Sequence, residues 1–556
     1  MPEPNSTHPN STQLTSTHDV FNQSQPFEDV NLYLSDQAFV GAVRREGGIG
    51  AEEGLARLGA IAGSKDAAEW ACLANANPPV LRTHDSKGHR LDIVEYHPAY
   101  HVLMETSFAE SAHRLESGPG ANVIRAAKVY LCAQMEAGHC CPITMTNAAA
   151  PVVKRLEEAA VPWLPKAAAD TYDRRFLPVE HKTSVTFGMG MTEKQGGSDV
   201  GANTTRATPE GARGPGRPYT ITGHKWFMSA PMSDAFLILA QATGGLTCFF
   251  MPRFRPDGSV NALHFQRLKS KLGNRSNASS EVEFHGAYAL ALSEEGEGTR
   301  VIIEMVTATR LDCVVSSAAL MRSAVAHALH HAGQRSAFQK KLIDQSLMQH
   351  VLADLVLDCE AATALSFRLA RAFDHAADET STAWRRLMTP AIKYWVCKIA
   401  PPFVAEAMEC LGGNGYVEEA PLARIYREVP VNSIWEGSGN IMALDVVRVL
   451  KREPDSARLV LAEIAIIAGA DRDFNSAIER WAKLLEEPEL FEVRARQIAE
   501  GLALLAGAAL LRAHAPAAVA DAFVGSRLGD RSAHTYGARL GAGDTSAVLA
   551  RARPGV

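Results

Sequence analysis

Residues 219–250, YTITGHKWFMSAPMSDAFLILAQATGGLTCFF, contain three short runs rich in β-branched and aromatic residues. The runs are Tyr219-Thr220-Ile221-Thr222, Phe236-Leu237-Ile238-Leu239 and Thr247-Cys248-Phe249-Phe250. Glycines and prolines lie between and around them, as at Gly244-Gly245. Closely spaced strands with turn signals between them indicate a small antiparallel β domain and not βαβ units.

Helical patterns lie on both sides of these strands. An upstream apolar stripe consists of Val123, Ala126, Ala127 and Tyr130, and a downstream one of Met348, Val351, Leu352 and Leu355. Their i, i+3, i+4 and i+7 spacing is that of one helical face. A helix pair is expected over Met388 to Leu411, ended by Gly412-Gly413.

The chain is therefore predicted to be mainly α with one small β domain. The predicted parts are a disordered tail (1–28), an N-terminal helical domain (29–185), the β domain (186–292), a four-helix bundle (293–450) and an additional helical domain (451–556). The tail is rich in Ser, Thr, Asn and Pro and has no apolar stretch of the kind that a secretory signal needs.

The overall composition restricts the classes of function that the chain can have. The chain is 46% hydrophobic and carries 56 Lys and Arg against 62 Asp and Glu, so it is not globally basic and any nucleic-acid contact must come from local clustering. Its nine cysteines are scattered without CxxC pairs, which favours reduced thiols over disulfides or a metal site. Its apolar runs are too short to span a bilayer, and we expect a cytoplasmic protein.

Two glycine-containing segments could hold a ligand. The first, at 188–199, reads GMGMTEKQGGSD, and the second, at 223–229, reads GHKWFMS. Glycines let a backbone approach a flat or anionic ligand, and an aromatic pair followed by a hydroxyl could wall a planar cofactor. On residue types alone, an ordinary turn and an ordinary strand remain the default interpretations, and no GxGxxG opens a helix here.

Glu436 is the candidate catalytic residue. It lies in the segment SIWEGSGN at 433–440, after Trp435 and before Gly437-Ser438-Gly439. Desolvation in such an apolar, tightly turned setting should raise the pKa of the carboxyl above about 4.3, which suits a general base. A lone Glu in a loop is more often solvated or capping a helix.

These segments, with Arg335, Phe338 and the GGNGY run at 412–416, resemble the acyl-CoA dehydrogenase family over roughly residues 180–450. That family carries a TEPxxGSD-like loop, a GxKxWIT-like segment, RxxFG, GGxGY and a YEGT-like segment in the same order. The longer runs at 191–200, 271–279 and 430–442 resemble its AidB-like branch, which is linked to DNA alkylation damage. The resemblance implies a fold with an α domain, a β barrel-like domain and an α bundle, followed by an extra C-terminal helical domain.

The resemblance also implies FAD as cofactor, a homotetramer, and an acyl thioester or another small molecule as substrate. Glu436 matches the base that removes the α-proton, while Arg335 and Phe338 match residues that reach the adenylyl part of a neighbouring subunit's FAD. The implied cofactor-binding residues are Met191, Thr192, Gln195, Gly197, Ser198, Phe227, Ser229, Arg335, Phe338, Gly412, Gly413, Ile434, Trp435, Gly437, Ser438, Gly439 and Asn440.

Three positions depart from the family pattern. Lys194 replaces a proline, Gln339 replaces a glycine, and Trp435 is bulkier than the usual aromatic residue and could narrow the acyl pocket. Arg448 matches a residue that lies near the active site in the AidB-like branch.

That branch also implies binding of double-stranded DNA through the C-terminal helices. Residues 451–556 contain 14 basic and 14 acidic residues, so the block has no net positive charge to offer phosphates. The candidates for local contact are Arg527, Arg531 and Arg539, and the basic run Arg267, Lys269, Lys271 and Arg275.

Two rivals accompany the leading hypothesis of a dehydrogenation-competent flavoprotein of unassigned substrate. One is a working acyl-CoA dehydrogenase for short or branched chains. The other is a DNA-binding protein in which the flavin is mainly structural.

Overall fold

The computed structural model describes residues 20–375, 377–529, 533–541 and 545–554, so part of the predicted tail and Arg531 lie outside the described residues. The N-terminal part is helical apart from one hairpin. Its elements are α1 (Gln37–Glu46), α2 (Glu52–Ala62), α3 (Lys65–Ala76), β1 (Val80–His84), β2 (Arg90–Glu95), α4 (Pro98–Ala109), α5 (Ala121–Met135), α6 (Cys140–Val153) and α7 (Leu164–Ala167).

Seven strands follow and form one sheet. They are β3 (Phe187–Gly190), β4 (Arg206–Pro209), β5 (Pro218–Ser229), β6 (Ala235–Ala242), β7 (Gly245–Pro252), β8 (Leu263–Leu268) and β9 (Ser279–Ala291). β5, β9, β7, β6 and β4 pair in a closed ring, with β3 added to β6 and β8 added to β9. The ring closes the sheet into a small barrel and removes most of its free edges.

The barrel contains two parallel pairings that the prediction of a small antiparallel β domain did not include. β3 and β4 both pair with β6 in parallel, whereas the other pairings are antiparallel. The connection from β3 to β6 is long, because it contains β4 and β5. A long crossover connection permits β3 and β6 to pair in parallel. The three predicted strand runs lie in β5, β6 and β7, as expected.

The remaining elements are helices, except for one short hairpin whose two strands have two residues each. Its elements are α8 (Gly298–Gln334), β10 (Ser336–Ala337), β11 (Lys340–Lys341), α9 (Ser346–Asp374), α10 (Glu379–Ala383), α11 (Thr389–Glu409), α12 (Gly413–Tyr416), α13 (Pro421–Glu428), α14 (Gly439–Arg452), α15 (Pro454–Ala468), α16 (Arg472–Lys483), α17 (Phe491–His514), α18 (Ala517–Phe523) and α19 (Ser546–Ala552). Within the described residues, none of the helices combines the length and apolar character needed to cross a membrane.

The expected helix pair over Met388 to Leu411 is wrong, because α11 is one helix that continues through Pro401-Pro402. Residues on both sides of the prolines are buried, and α11 packs against α8 and α17. This packing outweighs the hydrogen bonds that the prolines remove.

The C-terminal helices share their hydrophobic core with the bundle. α17 packs against α9, α11 and α14, and α19 packs against α9 and α1. Buried residues of all these helices form one apolar cluster with α5. The predicted division into domains stays a prediction, and α14 (Gly439–Arg452) runs across its boundary between 450 and 451.

The described part of the predicted tail is held by specific contacts. Asn22 Nδ2 donates to Ser336 O at 2.8 Å, Gln25 N donates to Gln334 Oε1 at 2.8 Å, and Arg335 NH1 donates to Asn22 O at 2.6 Å. Residues 22–25 therefore lie across the C-terminal end of α8.

The cysteines are free thiols, as expected from their scatter. Seven are buried, Cys72 is exposed, and Cys141 is partly exposed. Cys141 is therefore the one partly exposed thiol in the first turn of α6.

Candidate active site

The loop that carries Glu436 joins a short helical turn, Val429–Ser433, to α14. Glu436 has a φ of +56° and Gly437 has a φ of +103°, so two successive residues adopt left-handed backbone conformations. A Cβ at Gly437 would come within 2.5 Å of Met442 Cε, which adds a steric reason for glycine there. The strained conformation of Glu436 requires support from neighbouring elements.

A buried lysine supplies that support. Lys393 of α11 is 1% exposed, and its ammonium donates to three backbone carbonyls of the loop. The acceptors are Asn432 O at 3.0 Å, Trp435 O at 2.9 Å and Gly437 O at 2.9 Å. All three ammonium protons are thereby used, and the loop is held from the interior.

Two residues of α8 contact Glu436 itself. Thr309 Oγ1 donates to Glu436 Oε2 at 2.6 Å, and Arg310 Nε donates to the backbone carbonyl of Glu436 at 2.9 Å. Burial raises the pKa of the Glu436 carboxyl, while the Thr309 hydroxyl and the positive charges of Lys393 and Arg310 oppose this rise. The result is a partly desolvated carboxylate with one hydrogen bond from its surroundings, which is the environment of a general base.

Arg448 is linked to this loop through a shared carboxylate. Asp445 is buried and accepts from Arg448 NH1 at 3.1 Å and from Arg310 NH1 at 3.0 Å, and Arg386 lies 3.5 Å away. Arg310 in turn holds the Glu436 carbonyl. Arg448 is thus linked to the backbone of Glu436 through Asp445 and Arg310, and its place near the active site stays a prediction.

The glycine-rich loop is anchored from beneath by a fully buried ion pair. Lys225 Nζ donates to Glu193 Oε1 at 2.8 Å, and both side chains are 0% exposed. The ammonium lowers the pKa of Glu193 to about 2 against the opposing effect of burial, and burial lowers the pKa of Lys225 to about 8. The attraction between the two charges offsets the cost of burying them, so the net contribution of the pair to stability is small. Either charge alone would be costly at this buried position.

The predicted cofactor-binding residues of this loop differ in their exposure to solvent. Asn203 Nδ2 donates to Met191 O at 3.1 Å, and Trp226 N donates to Thr192 O at 2.8 Å. Met191 and Thr192 are partly buried, whereas the predicted contacts Gln195, Gly197 and Ser198 are exposed.

β5 brings an aromatic ring and a hydroxyl to the same face. Phe227 is 50% exposed, with the Lys269 ammonium 4.4 Å from its ring centre. Ser229 Oγ lies 3.0 Å from Ser279 Oγ on β9. Phe227 and Ser229 are thus both accessible at this end of β5.

The pKa of Cys141 depends on groups from both segments. Burial raises the pKa of the Cys141 thiol to about 12; the charge of the Glu436 carboxylate acts in the same direction, and Lys271 and the Ser229 hydroxyl oppose it. That the strand segment and the Glu436 loop form one site stays a prediction.

The remaining predicted residues of the Glu436 loop differ in exposure. Ile434 is 64% exposed, whereas Trp435 is partly buried and its Nε1 donates to Asn432 Oδ1 at 2.9 Å. Ser438 and Gly439 are partly buried. Asn440 is exposed, and its Oδ1 accepts from Arg496 Nε of α17 at 2.9 Å.

Arg335 and Phe338 lie at the opposite end of α8. At ~1.5 Å per residue, the 25 residues between Thr309 and Gln334 place these groups about 38 Å apart along the helix axis. Phe338 is 93% exposed at the tip of the β10–β11 hairpin, where Gln339, the departure from the family glycine, has a φ of +65°. The structure does not bring these residues to Glu436 within one chain.

The predicted glycine turn lies beside Arg335. Asn414 Nδ2 donates to Gln23 Oε1 at 3.2 Å, and the backbone carbonyl of Asn22, which precedes Gln23, accepts from Arg335 NH1. Gly412 has a φ of +59°, and a Cβ at Gly412 or Gly413 would meet no atom within 4 Å. Both glycines therefore face open space near the far end of α8.

Most arginines and lysines considered for phosphate contact have protein partners. Arg527 is buried and pairs with Asp354 at 2.5 Å and Asp358 at 2.9 Å, and Arg539 lies 3.4 Å from Asp358. In the basic run, Arg267 and Lys269 each contact Glu281 at 2.7 Å. Lys271 donates to loop acceptors, and Arg275 is exposed with its Nε on Leu272 O. The expected arginine face is therefore wrong for Arg527, which is internal.

Sequence reasoning missed Lys393, Thr309, Arg310, Cys141 and the placement of Lys271. Lys393 carried a usable signal, because a single lysine in the apolar run Ile392-Lys393-Tyr394-Trp395-Val396 is rarely buried without partners. Thr309 and Arg310 carried none, since their partner lies more than a hundred residues away.

Comparisons with known proteins agree with this architecture. Family models match at residues 22–174 (adaptive response protein AidB N-terminal domain), 188–287 (acyl-CoA dehydrogenase, middle domain) and 296–451 (acyl-CoA dehydrogenase, C-terminal domain). AidB of Escherichia coli (strain K12) is 48% identical over 545 residues, 97% of this chain and 99% of the relative. Acyl-CoA dehydrogenase family member 11 of Caenorhabditis elegans is 29% identical over 68% of this chain and 63% of that protein.

Solved structures show the same fold. Caenorhabditis elegans ACDH-11 in complex with C11-CoA superposes with a TM-score of 0.82 at 24% identity, covering 98% of this chain and 95% of that one. An acyl-CoA dehydrogenase from Bacillus anthracis complexed with FAD superposes with a TM-score of 0.62 at 17% identity, covering 78% and 83%.

Proposed function

This chain belongs to the acyl-CoA dehydrogenase family, in its AidB-like branch, and we propose that it binds FAD and removes the α-proton of an acyl thioester with Glu436. The observation that carries the proposal is the partly desolvated Glu436 carboxylate, whose pKa burial raises and which accepts from Thr309 Oγ1 at 2.6 Å in a loop held by Lys393. A carboxylate with a raised pKa, in the segment where the family carries its base, suits proton abstraction.

The exposed residues of the site suit a flat cofactor with one apolar face. Phe227 and Ile434 offer exposed apolar surface, and Ser229 offers a hydroxyl. The glycine loop adds Gly197 and Ser198, which are exposed on an anchored backbone. When bound, FAD supplies the hydride acceptor for β-carbon oxidation.

The chain's own groups supply position and proton transfer. Thr309 orients the Glu436 carboxylate, Lys393 and Arg310 hold its backbone, and partial burial keeps the carboxylate weakly solvated. In its ionised form Glu436 accepts the α-proton of the thioester, and the pair of electrons left on the α-carbon forms the new double bond as hydride leaves the β-carbon. Precise placement matters because proton and hydride depart from adjacent carbons.

We infer that a second copy of the chain completes each cofactor site, within the homotetramer that the family implies. Arg335 follows the end of α8, about 38 Å along the helix axis from Thr309, which is farther than an extended dinucleotide reaches. Glu436 and Arg335 of one chain therefore serve different FAD molecules. Light scattering of the purified protein should give the mass of four copies; a monomer that still retains FAD would contradict this inference.

The visible spectrum of the purified protein, followed by anaerobic mixing with short, branched and long acyl-CoA substrates, tests the function. We expect a yellow protein that bleaches with some of the panel. Rapid bleaching by short or branched chains would make it a working acyl-CoA dehydrogenase for those substrates. A Glu479→Gln variant, altered at an exposed carboxylate on α16, should behave as wild type.

Duplex DNA binding stays a prediction. Of the side chains singled out for it, Arg527 has a structural role, whereas Arg275 is exposed. A colourless protein that FAD cannot reconstitute would refute the proposed function. Salt-dependent duplex binding without turnover of any thioester would support a DNA-binding protein with structural flavin.

A further inference from the structure

Lys271, Ser279 and Ser229 form a chain of hydrogen bonds that ends at the proposed flavin face. Lys271 Nζ donates to Ser279 Oγ at 3.2 Å, and Ser279 Oγ lies 3.0 Å from Ser229 Oγ. Ser229 and Ser279 are also direct cross-strand partners of β5 and β9, so the sheet fixes their separation.

The ammonium of Lys271 has a full set of acceptors. Besides Ser279 Oγ it donates to Asn277 O at 2.7 Å and to Asn274 Oδ1 at 3.3 Å. An ammonium carries three protons and accepts none, so Lys271 can only be the donor in its contact with Ser279.

This fixes the direction of the next hydrogen bond. Ser279 is 5% exposed, and its hydroxyl oxygen already accepts from Lys271. Among the described residues, the oxygen that can accept its own proton is Ser229 Oγ at 3.0 Å, and a buried donor left without an acceptor is costly. Ser279 therefore donates to Ser229, and the proton of Ser229 remains free.

The other neighbour of Ser229 does not compete strongly for that proton. Cys141 lies beside the Ser229 hydroxyl, and its thiol is neutral because burial raises its pKa to about 12. The sulfur of a neutral thiol is a weak acceptor. The hydroxyl proton of Ser229 is thus available to a stronger acceptor on a bound ligand.

We propose that Lys271 and Ser279 are positioning residues that force Ser229 to present a hydrogen-bond donor, aimed by the partly buried ammonium, to the bound flavin. The proposal rests on FAD binding at this face. A donor held in this direction stabilises negative charge that builds up on the flavin as it is reduced, and therefore raises its midpoint potential.

Four variants test the chain of bonds. Ser279→Ala removes the link without changing charge, and Lys271→Met removes its origin. Ser279→Thr keeps a hydroxyl and serves as the rescue variant. Arg267→Gln removes a charge from β8 at a side chain that is 64% exposed and pairs with Glu281, so it is the matched control.

The readouts are the visible spectrum and the midpoint potential of the bound FAD, measured anaerobically against reference dyes. In Ser279→Ala and Lys271→Met we expect the ratio of oxidised to reduced flavin at a fixed potential to be about tenfold higher than in wild type. For a two-electron couple this ratio corresponds to a midpoint potential that is lower by ~30 mV. Ser279→Thr and Arg267→Gln should retain the wild-type value.

A Ser279→Ala variant that keeps the wild-type spectrum and potential would overturn the proposal, even if Lys271→Met fails to fold. Loss of FAD from Ser279→Ala supports it only if Ser279→Thr restores binding, and contradicts it if Ser279→Thr also loses FAD. Failure of the proposed function is distinguishable, because the wild-type protein itself would then bind no FAD.

Discussion

Replacement of Lys393 by methionine should loosen the Glu436 loop in a measurable way. The substitution keeps the length of the side chain and removes three hydrogen bonds to the carbonyls of Asn432, Trp435 and Gly437. At roughly 1 kcal/mol for each bond, the free energy that opposes local opening should fall by about 3 kcal/mol. That difference corresponds to roughly 150-fold faster amide exchange.

Hydrogen–deuterium exchange of peptides covering 430–442 measures this opening. Lys483→Met is the matched control, since Lys483 is exposed on α16. Lys393→Met should also raise the pKa of Glu436 further, because a nearby positive charge is lost. The carboxylate is active when ionised, so the pH at which flavin bleaching becomes fast should move upward. Wild-type exchange in 430–442 would refute the role given to Lys393.

Two further predictions concern single contacts. Thr309→Val removes the hydroxyl that stabilises ionised Glu436, so the bleaching rate should rise at a higher pH than in wild type. Thr307→Val in the same helix should leave the pH profile unchanged. Equal profiles for the two variants would contradict the role assigned to Thr309. Arg527→Met removes the cation from buried Asp354 and the nearer of two cations from buried Asp358, which keeps Arg539. The free energy of unfolding in urea should fall by about 3–5 kcal/mol, against roughly 0.5 kcal/mol or less for Arg458→Gln in an exposed pair. Weaker duplex binding without a loss of stability would refute the structural role.

Local patterns in the sequence predicted much of the fold. Runs of β-branched residues marked β5, β6 and β7, and apolar stripes marked α5 and α9, because both signals depend on neighbours a few positions away. The parallel pairing of β3 with β6 could not be predicted this way, since it depends on how the barrel closes.

In the candidate site, too, local features were predicted from the sequence and long-range contacts were not. Glu436 stood out because the glycines around it are adjacent in sequence, and the structure gives it the partly desolvated setting that was expected. Lys393, Thr309 and Arg310 reach the loop from α11 and α8, and Arg527 meets its aspartates across the core. Contacts of this kind are set by helix packing, which a single sequence does not display.

The rate of flavin bleaching after anaerobic mixing of the Glu436→Gln variant with an acyl-CoA that bleaches the wild-type protein tests the central claim. Glutamine keeps the size of the side chain and cannot accept the α-proton. The variant should remain yellow with a full complement of FAD and bleach at least about 100-fold more slowly than wild type. Bleaching at the wild-type rate would show that another group is the base.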